Sequence, residues 1–302
     1  MMNLIRLRTI WYIFSGILVA LSIVSLVVWG LRFGIDFTGG SLLEVRFAGE
    51  RPSLDAIQQT LAPLELAGVT IQPAGDDAAI LRFKHVDEIT HQTIIRQLGE
   101  AGGGQADELR FETVGPTIGA ELQRRSLWAL VVAMAFIVLY ITWAFRRVSR
   151  PVASWKYGLS AIIALAHDAL VTIGVFSVLG HFMGVEVDSL FVSALLTVVG
   201  FSVHDTIVVF DRTRENLFRH SVESFADTVN KSVNETFIRS INTSLTTISV
   251  LTALFMFGGA TIKYFSLALI IGITVGTYSS IFLASPLLVD WYRFSVREKT
   301  KR

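Results

Sequence analysis

The sequence predicts a polytopic α-helical membrane protein: six transmembrane helices with one α+β domain of ferredoxin-like β-α-β-β-α-β order outside the cytoplasm. Three observations predict it. Six apolar runs each approach the length a bilayer requires. Lysine and arginine are divided unequally between the short connecting loops. The long segment between the first two runs alternates strand and helix periodicities. Composition agrees: 52% of the 302 residues are hydrophobic and 17% charged, against about 25% charged in soluble proteins. Mean hydropathy is +0.56. A net charge of +1 offers no bulk basic field for nucleic acid. The chain has no cysteine, which excludes disulfides, iron–sulfur clusters and thiolate zinc sites.

A spanning helix needs roughly 20 apolar residues, and the runs at about 10–31, 126–145, 157–179, 189–210, 240–257 and 264–289 qualify. The first lacks a small-residue cleavage pattern and reads as an uncleaved helix, not a signal peptide. Orientation follows the short flanking segments. One side carries Arg6 and Arg8; Arg146, Arg147, Arg150 and Lys156; Arg212, Arg214, Arg219 and Lys231; and Arg293, Arg297, Lys299, Lys301 and Arg302. The opposite loops, 180–188 and 258–263, carry Lys263 alone. Fifteen against one places both termini in the cytoplasm. The domain boundaries expected are 1–33 for the N-terminus and first helix, 34–120 for the extracytoplasmic domain, and 121–302 for the remaining five helices. Loop 211–237 reads as a cytoplasmic amphipathic helix pair, a surface connector with Phe218, Val222, Phe225, Val229 and Val233 at helical spacing.

Within 34–120, residues 41–48 alternate as a strand with Val45 and Phe47 on one face. Ser53 caps a helix over 54–64 whose Leu54, Ile57 and Leu61 share a face. Residues 69–72 and 78–84 are strands about a Gly75-Asp76-Asp77 turn. A second helix, 90 to about 100, bears Ile94, Ile95 and Leu98 and ends at Gly102-Gly103-Gly104. A last strand covers 109–114. The order is the ferredoxin-like split pattern, in a domain just large enough to sustain a core. It holds no clustered histidines, nucleophile elbow or phosphate loop, so it reads as a binding or moving module and the chain as no enzyme.

Ionisable residues at membrane depth cost at least a few kcal/mol each and mark proton, ion or substrate paths. Asp205 lies six residues before Asp211, about 9 Å inside the cytoplasmic boundary. Arg239 opens the fifth run from the same side. Arg239, Asn242, Thr243 and Thr246 share one helical face, and Ser202 lies one turn before Asp205. Burial favours a neutral carboxyl, and a guanidinium nearby favours the charged form. Moving Arg239 would therefore switch the affinity of Asp205 for a proton. A static buried pair that holds helices in register remains the alternative. Asp168, about 16 Å deep in the third run, is a further candidate for the interior. His167 beside it points about 100° away, so the two are expected not to pair, with His167 a satisfied structural donor.

The dipeptides His167-Asp168 and His204-Asp205 lack the i, i+3 or i+4 spacing of helical metal ligands, so no metal or other cofactor is expected. The Gly-x-Gly-Asp arrangement of intramembrane aspartyl proteases is absent around Asp205. Gly272, Gly276 and Ser280 form a close-packing face on the sixth run.

Five stretches in order carry a resemblance: Gly34-Ile35-Asp36-Phe37-Thr38-Gly39-Gly40; Val114-Gly115-Pro116-Thr117-Ile118-Gly119; Val199-Gly200-Phe201-Ser202-Val203-His204-Asp205-Thr206-Ile207-Val208-Val209-Phe210-Asp211-Arg212; Arg239-Ser240-Ile241-Asn242-Thr243-Ser244; and Gly276-Thr277-Tyr278-Ser279-Ser280. Along essentially its whole length the chain resembles the SecF family of protein-export membrane proteins. The resemblance implies half of an RND-type twelve-helix bundle completed by SecD, in a bacterial plasma membrane. It implies work beside the SecYEG channel on a translocating preprotein, driven by the proton motive force, with YajC and YidC as further partners. It places the family's proton-path aspartate and arginine on Asp205 and Arg239; Thr243 and Thr246 are added from helical facing, and Asp168 from its depth. A scaffold that merely holds SecD and the channel is the alternative, and a small-molecule RND exporter would need two large porter domains this chain lacks. The glycines of 34–40 permit positive φ and tight turns. They also suit a hinge between helix and domain, built from Gly34, Asp36, Gly39 and Gly40 with Gly115 and Pro116 as the return half.

Overall fold

The computed structural model describes residues 3–146, 152–219 and 224–300. Of the residues invoked above, Arg147, Arg150, Val222, Lys301 and Arg302 lie outside that set. Among the described residues, six helical stretches are long and apolar enough to cross a membrane: Arg8–Val28, Pro116–Ala144, Ser154–Met183, Ser189–Phe218, Phe225–Phe257 and Thr261–Val296. The chain divides into two compact units, Phe33–Leu127 and, from the two flanking segments, Met1–Arg32 with Trp128–Arg302.

The smaller unit opens with a four-residue helix the sequence did not announce, α2 (Ile35–Thr38), capped by Gly34. Then follow β1 (Gly40–Phe47), α3 (Leu54–Leu61), a 3₁₀ turn (Ala62–Leu64), β2 (Thr70–Ala74), β3 (Ala78–Phe83), α4 (Glu88–Ala101) and β4 (Ala106–Val114). The strands form one antiparallel sheet in the order β2-β3-β1-β4, the ferredoxin-like arrangement. Period-two burial puts Leu43, Val45 and Phe47 of β1 and Ala79, Leu81 and Phe83 of β3 against Ile57 and Leu61 of α3 and Ile94 and Leu98 of α4. Both helices start on side-chain caps: the Ser53 hydroxyl accepts from the Ala56 N–H and the Asp87 carboxylate from the Thr90 N–H, each satisfying an orphan donor of the first turn.

The larger unit is a helix bundle: α1 (Arg8–Val28), α5 (Pro116–Ala144, shared along its length with the smaller unit), α6 (Ser154–Met183), α7 (Ser189–Arg219), α8 (Phe225–Phe257), α9 (Gly259–Ser279) and α10 (Ser285–Thr300). Helices α6, α7 and α9 pack mutually, α8 lies on α7 and α9, and α1 lies on α6. A π-helical turn, Ser280–Ala284, joins α9 to α10. Its cause is Pro286, which cannot donate to a carbonyl one turn back and would clash with it, so the helix widens ahead of the ring.

The expected surface connector over 211–237 is corrected. No glycine or proline interrupts 201–219 or 225–257, so α7 and α8 run straight through their polar ends and no separate helix pair forms. Phe225, Val229 and Val233 are buried with Leu4, Ile5, Phe145, Phe210 and Val289, whereas Phe218 is exposed. Arg212 ties the two helices at this end by donating to Glu235 across 2.6 Å, and Asn216 donates to the same carboxylate at 2.7 Å.

Candidate intramembrane polar site

Gly272 and Gly276 decide how closely α9 approaches α7. A Cβ at 272 would lie 2.2 Å from Val198 Cγ2 and one at 276 would lie 2.9 Å from Ser202 Cβ, so the close-packing face of the sixth run meets α7. That approach brings the polar residues of three helices together, where most buried polar groups find protein partners.

Asp168 of α6 is fully buried, at 0% exposure. Its Oδ2 accepts from Ser202 Oγ of α7 at 2.6 Å and from Ser279 Oγ of α9 at 2.8 Å. Its Oδ1 lies 3.0 Å from Nδ1 of His167. The expectation that these neighbours do not pair is therefore corrected. α6 is buried almost all round at this level (Ala164, Leu165, His167, Asp168, Ala169, Val171 and Thr172), so residues 100° apart both face protein and their side chains converge. His167 is also only half satisfied: Nε2 is buried with no hydrogen-bond partner among the described residues. One turn along α7, Thr206 Oγ1 pairs with Ser280 Oγ at 2.9 Å, and Ser280 also donates to the Ser202 carbonyl at 3.2 Å.

Asp205, at 2% exposure, accepts from Thr277 Oγ1 at 3.3 Å. Thr277 has a single proton, and its hydroxyl also approaches the Ile273 carbonyl at 2.9 Å and the Ser244 hydroxyl of α8. The two buried carboxylates are thus held differently: Asp168 has three polar groups within 3.0 Å (Ser202, His167, and Ser279, whose proton the Gly276 carbonyl also approaches at 3.1 Å), whereas Asp205 has Thr277 alone at 3.3 Å.

Arg239 is not brought to Asp205. It is exposed, as are Asn242, Thr243 and Thr246, and no ion pair joins it to Asp205 among the described residues. The hydroxyls of Thr243 and Thr246 bond within α8, to the Arg239 and Thr243 carbonyls. These four do share a face, as their spacing predicts, but the face turned toward α7 and α9 carries Ser240 and Ser244. Sequence reasoning missed the buried Ser244, Thr277 and Ser279; only Ser244 lying one turn past Ser240 signalled a second polar edge.

In the smaller unit the glycine motifs meet each other. Gly39 and Gly40 have φ of +72° and +130°. A Cβ on Gly39 would lie 2.8 Å from Pro116 Cα, and one on Gly119 would lie 2.9 Å from Gly39 N. Backbone therefore packs on backbone between 34–40 and 115–119. Gly34 caps α2, Asp36 sits in its first turn, Pro116 opens α5, and Gly115 has open space about it.

A family model described as the C-terminal part of the protein export membrane proteins SecD/SecF matches residues 94–294, and one described as the SecD/SecF GG motif matches residues 24–49. The chain belongs to the SecF branch of this family. It is 44% identical to the protein translocase subunit SecF of Thermobaculum terrenum over 303 residues, covering 96% of this chain and 94% of that protein. It is 39% identical to the SecF of Sebaldella termitidis, covering 100% of this chain and 95% of that one. Among solved structures it matches SecDF of Thermus thermophilus, a translocon-associated membrane protein, with a TM-score of 0.84 and 32% identity over 97% of this chain. It spans 39% of that longer chain. The six helices and the four-stranded domain are thus an RND-like membrane fold, and the protein is a multi-pass membrane protein.

Proposed function

We propose that this chain is a non-enzymatic subunit of the Sec translocase that, assembled with SecD, uses the proton motive force to promote preprotein translocation across the plasma membrane. In this reading both termini are cytoplasmic, Phe33–Leu127 lies outside, and the assembly acts beside SecYEG, with YajC and YidC as further associates. The observation that carries it is the state of the two sides of α8. Asp205 is buried and weakly bonded behind one side, while the other exposes Arg239, Asn242, Thr243 and Thr246 over the first turns of the fifth apolar run. An arginine and an amide facing lipid are costly, so that stripe calls for a protein partner. The similarity to SecDF, in which one longer chain contains a matching part, supports SecD as that partner.

Protonation of Asp205 would then be answered by a cation that this chain holds away from it, and a shift of α8 would couple the proton to motion. The paired glycine motifs suit transmission of that movement to the sheet domain, and a crosslink across them should stop export without preventing assembly. The deciding experiment is preprotein transport into vesicles containing this chain, SecD and the channel, with and without an imposed proton gradient. Stimulation of the wild type, and none in a normally assembled Asp205→Asn variant, supports coupling through Asp205. Equal responses leave a scaffold.

A further inference from the structure

Among the described residues of the helix bundle, His181 and His204 are exposed and His167 is buried. Nδ1 of His167 faces Asp168 Oδ1 at 3.0 Å. That carboxylate takes donors on its other oxygen from Ser202 and Ser279, so it acts as an acceptor throughout and the imidazole proton belongs on Nδ1. Nε2 is then left with a lone pair, buried and unbonded. Buried polar atoms are nearly always paired. Tyr157 and Ser160 of the same helix also carry buried oxygens with no partner among the described residues, but of these three groups only an imidazole is of a kind that changes charge near neutral pH.

We infer that His167 is a proton-carrying site of this chain and that Asp168 is a positioning residue that fixes its tautomer. The proton comes from hydronium admitted from the aqueous phase. The Nε2–H bond forms as water is released, and the reverse step discharges it. The product is an imidazolium beside a carboxylate, a neutral pair in a setting where one isolated charge is expensive. Ser202 links the pair to the helix bearing Asp205, three residues further on. This deepens the proposed proton coupling and rests on it for its purpose.

The elements packed against α6 carry His204, Asp211, Arg212, Arg214 and Glu215 on α7, Lys263 and Tyr264 on α9, and Tyr292 and Arg293 on α10, besides the following groups. From α9 comes Tyr278, its ring 6.2 Å from that of His167 and its hydroxyl bonded to Ser15 at 3.0 Å. From α7 comes Asp205. From α1 and α10 come Tyr12, Arg8 and Asp290, already joined to one another at 2.8 and 3.1 Å. The π-helical turn contributes none.

The test is solid-state NMR of the chain with ¹⁵N-labelled histidine, assembled with SecD in vesicles and titrated across about pH 5 to 8, the range in which imidazoles change charge. The His167 signals are assigned by their loss in His167→Gln, or by their proximity to labelled Tyr278 if that variant fails to assemble. The expected result is an Nε2 that gains a proton as pH falls while Nδ1 stays protonated throughout. Asp168→Asn should mix the tautomers, because the acceptor that holds the proton on Nδ1 is weakened. An Nε2 unchanged across the range overturns the inference, as does a transition confined to the Asp168 carboxyl in difference infrared spectra. The two readings separate cleanly. A titrating His167 in an assembly indifferent to the gradient sinks the coupling and keeps the site. A gradient response with a silent His167 does the reverse.

Discussion

Ser202 of α7 donates to Asp168 of α6 across 2.6 Å, so the helix that carries Asp205 is anchored to its neighbour one turn away from that carboxyl. The anchor should be measurable. Ser202→Ala removes a buried hydroxyl bonded to a carboxylate, a change that costs about 1.5–3 kcal/mol. Thr243→Ala, at an exposed position whose hydroxyl bonds only within its own helix, should stay within about 0.5 kcal/mol. Denaturant titration of both variants in the same detergent checks the contrast; equal losses would mean the bond carries little.

Close approach of α9 to α7 depends on two missing side chains. Gly272→Ala would drive a methyl to 2.2 Å from Val198 Cγ2, and overpacking of this kind costs about 1–3 kcal/mol. Gly200→Ala is the control, since nothing lies within 4 Å of a Cβ there and alanine favours a helix. Thermal midpoints should fall for the first and hold or rise for the second.

How far these features were legible in the residues follows from what periodicity can encode. The six spans and the sheet domain were readable because apolar length and strand alternation are local properties. The facing of α8 was not. Helical spacing groups Arg239 with Asn242, Thr243 and Thr246, but it cannot say which way the group looks. The more polar face turns outward, and Ser240 and Ser244 turn in. The pairing of His167 with Asp168 was hidden for a related reason: the 100° rule separates neighbours only on a helix with one buried face, and α6 is enclosed nearly all round. The π-helical turn had a visible cause in Pro286, whose consequence depends on the neighbours that keep the helix going past it.

The double glycine makes a sharper demand than general flexibility. Gly39→Ala places a side chain at φ +72° and 2.8 Å from Pro116 Cα, so it should destabilise the sheet domain by about 1–3 kcal/mol. Gly115→Ala, in the return segment but with open space around it, should be nearly neutral. If instead both variants fold normally and both lose export, freedom of motion and not close packing is what these glycines supply.

The N-cap of α4 gives a pH signature outside the membrane spans. Hydrogen bonds from the Thr90 side chain, and then from its backbone N–H, hold the Asp87 carboxyl below the usual carboxylate range. A carboxyl depressed in the folded state contributes stability that is fully present above its unfolded value and is lost as pH falls through the folded one. Amide-exchange protection factors in the first turn of α4 should therefore drop under acid conditions in the wild type. They should not drop in Asp87→Asn, which caps at every pH. A parallel decline in both would assign the acid response to other carboxylates.

Because the chain contains no cysteine, the exposed stripe of α8 can be interrogated with a single label. Thr246 is exposed on the face it shares with Arg239, Asn242 and Thr243, and polar side chains within a span usually face protein or water in place of lipid. A partner helix that supplies polar contacts meets that preference, so assembly with SecD should bury this face in preference to the apolar ones. A spin label on Thr246→Cys should be mobile and accessible to oxygen when the chain is reconstituted alone. With SecD it should become immobilised and shielded. A label equally accessible in both samples would mean that α8 faces lipid in the assembly, and the argument for a proton path shared between two chains would lose its footing.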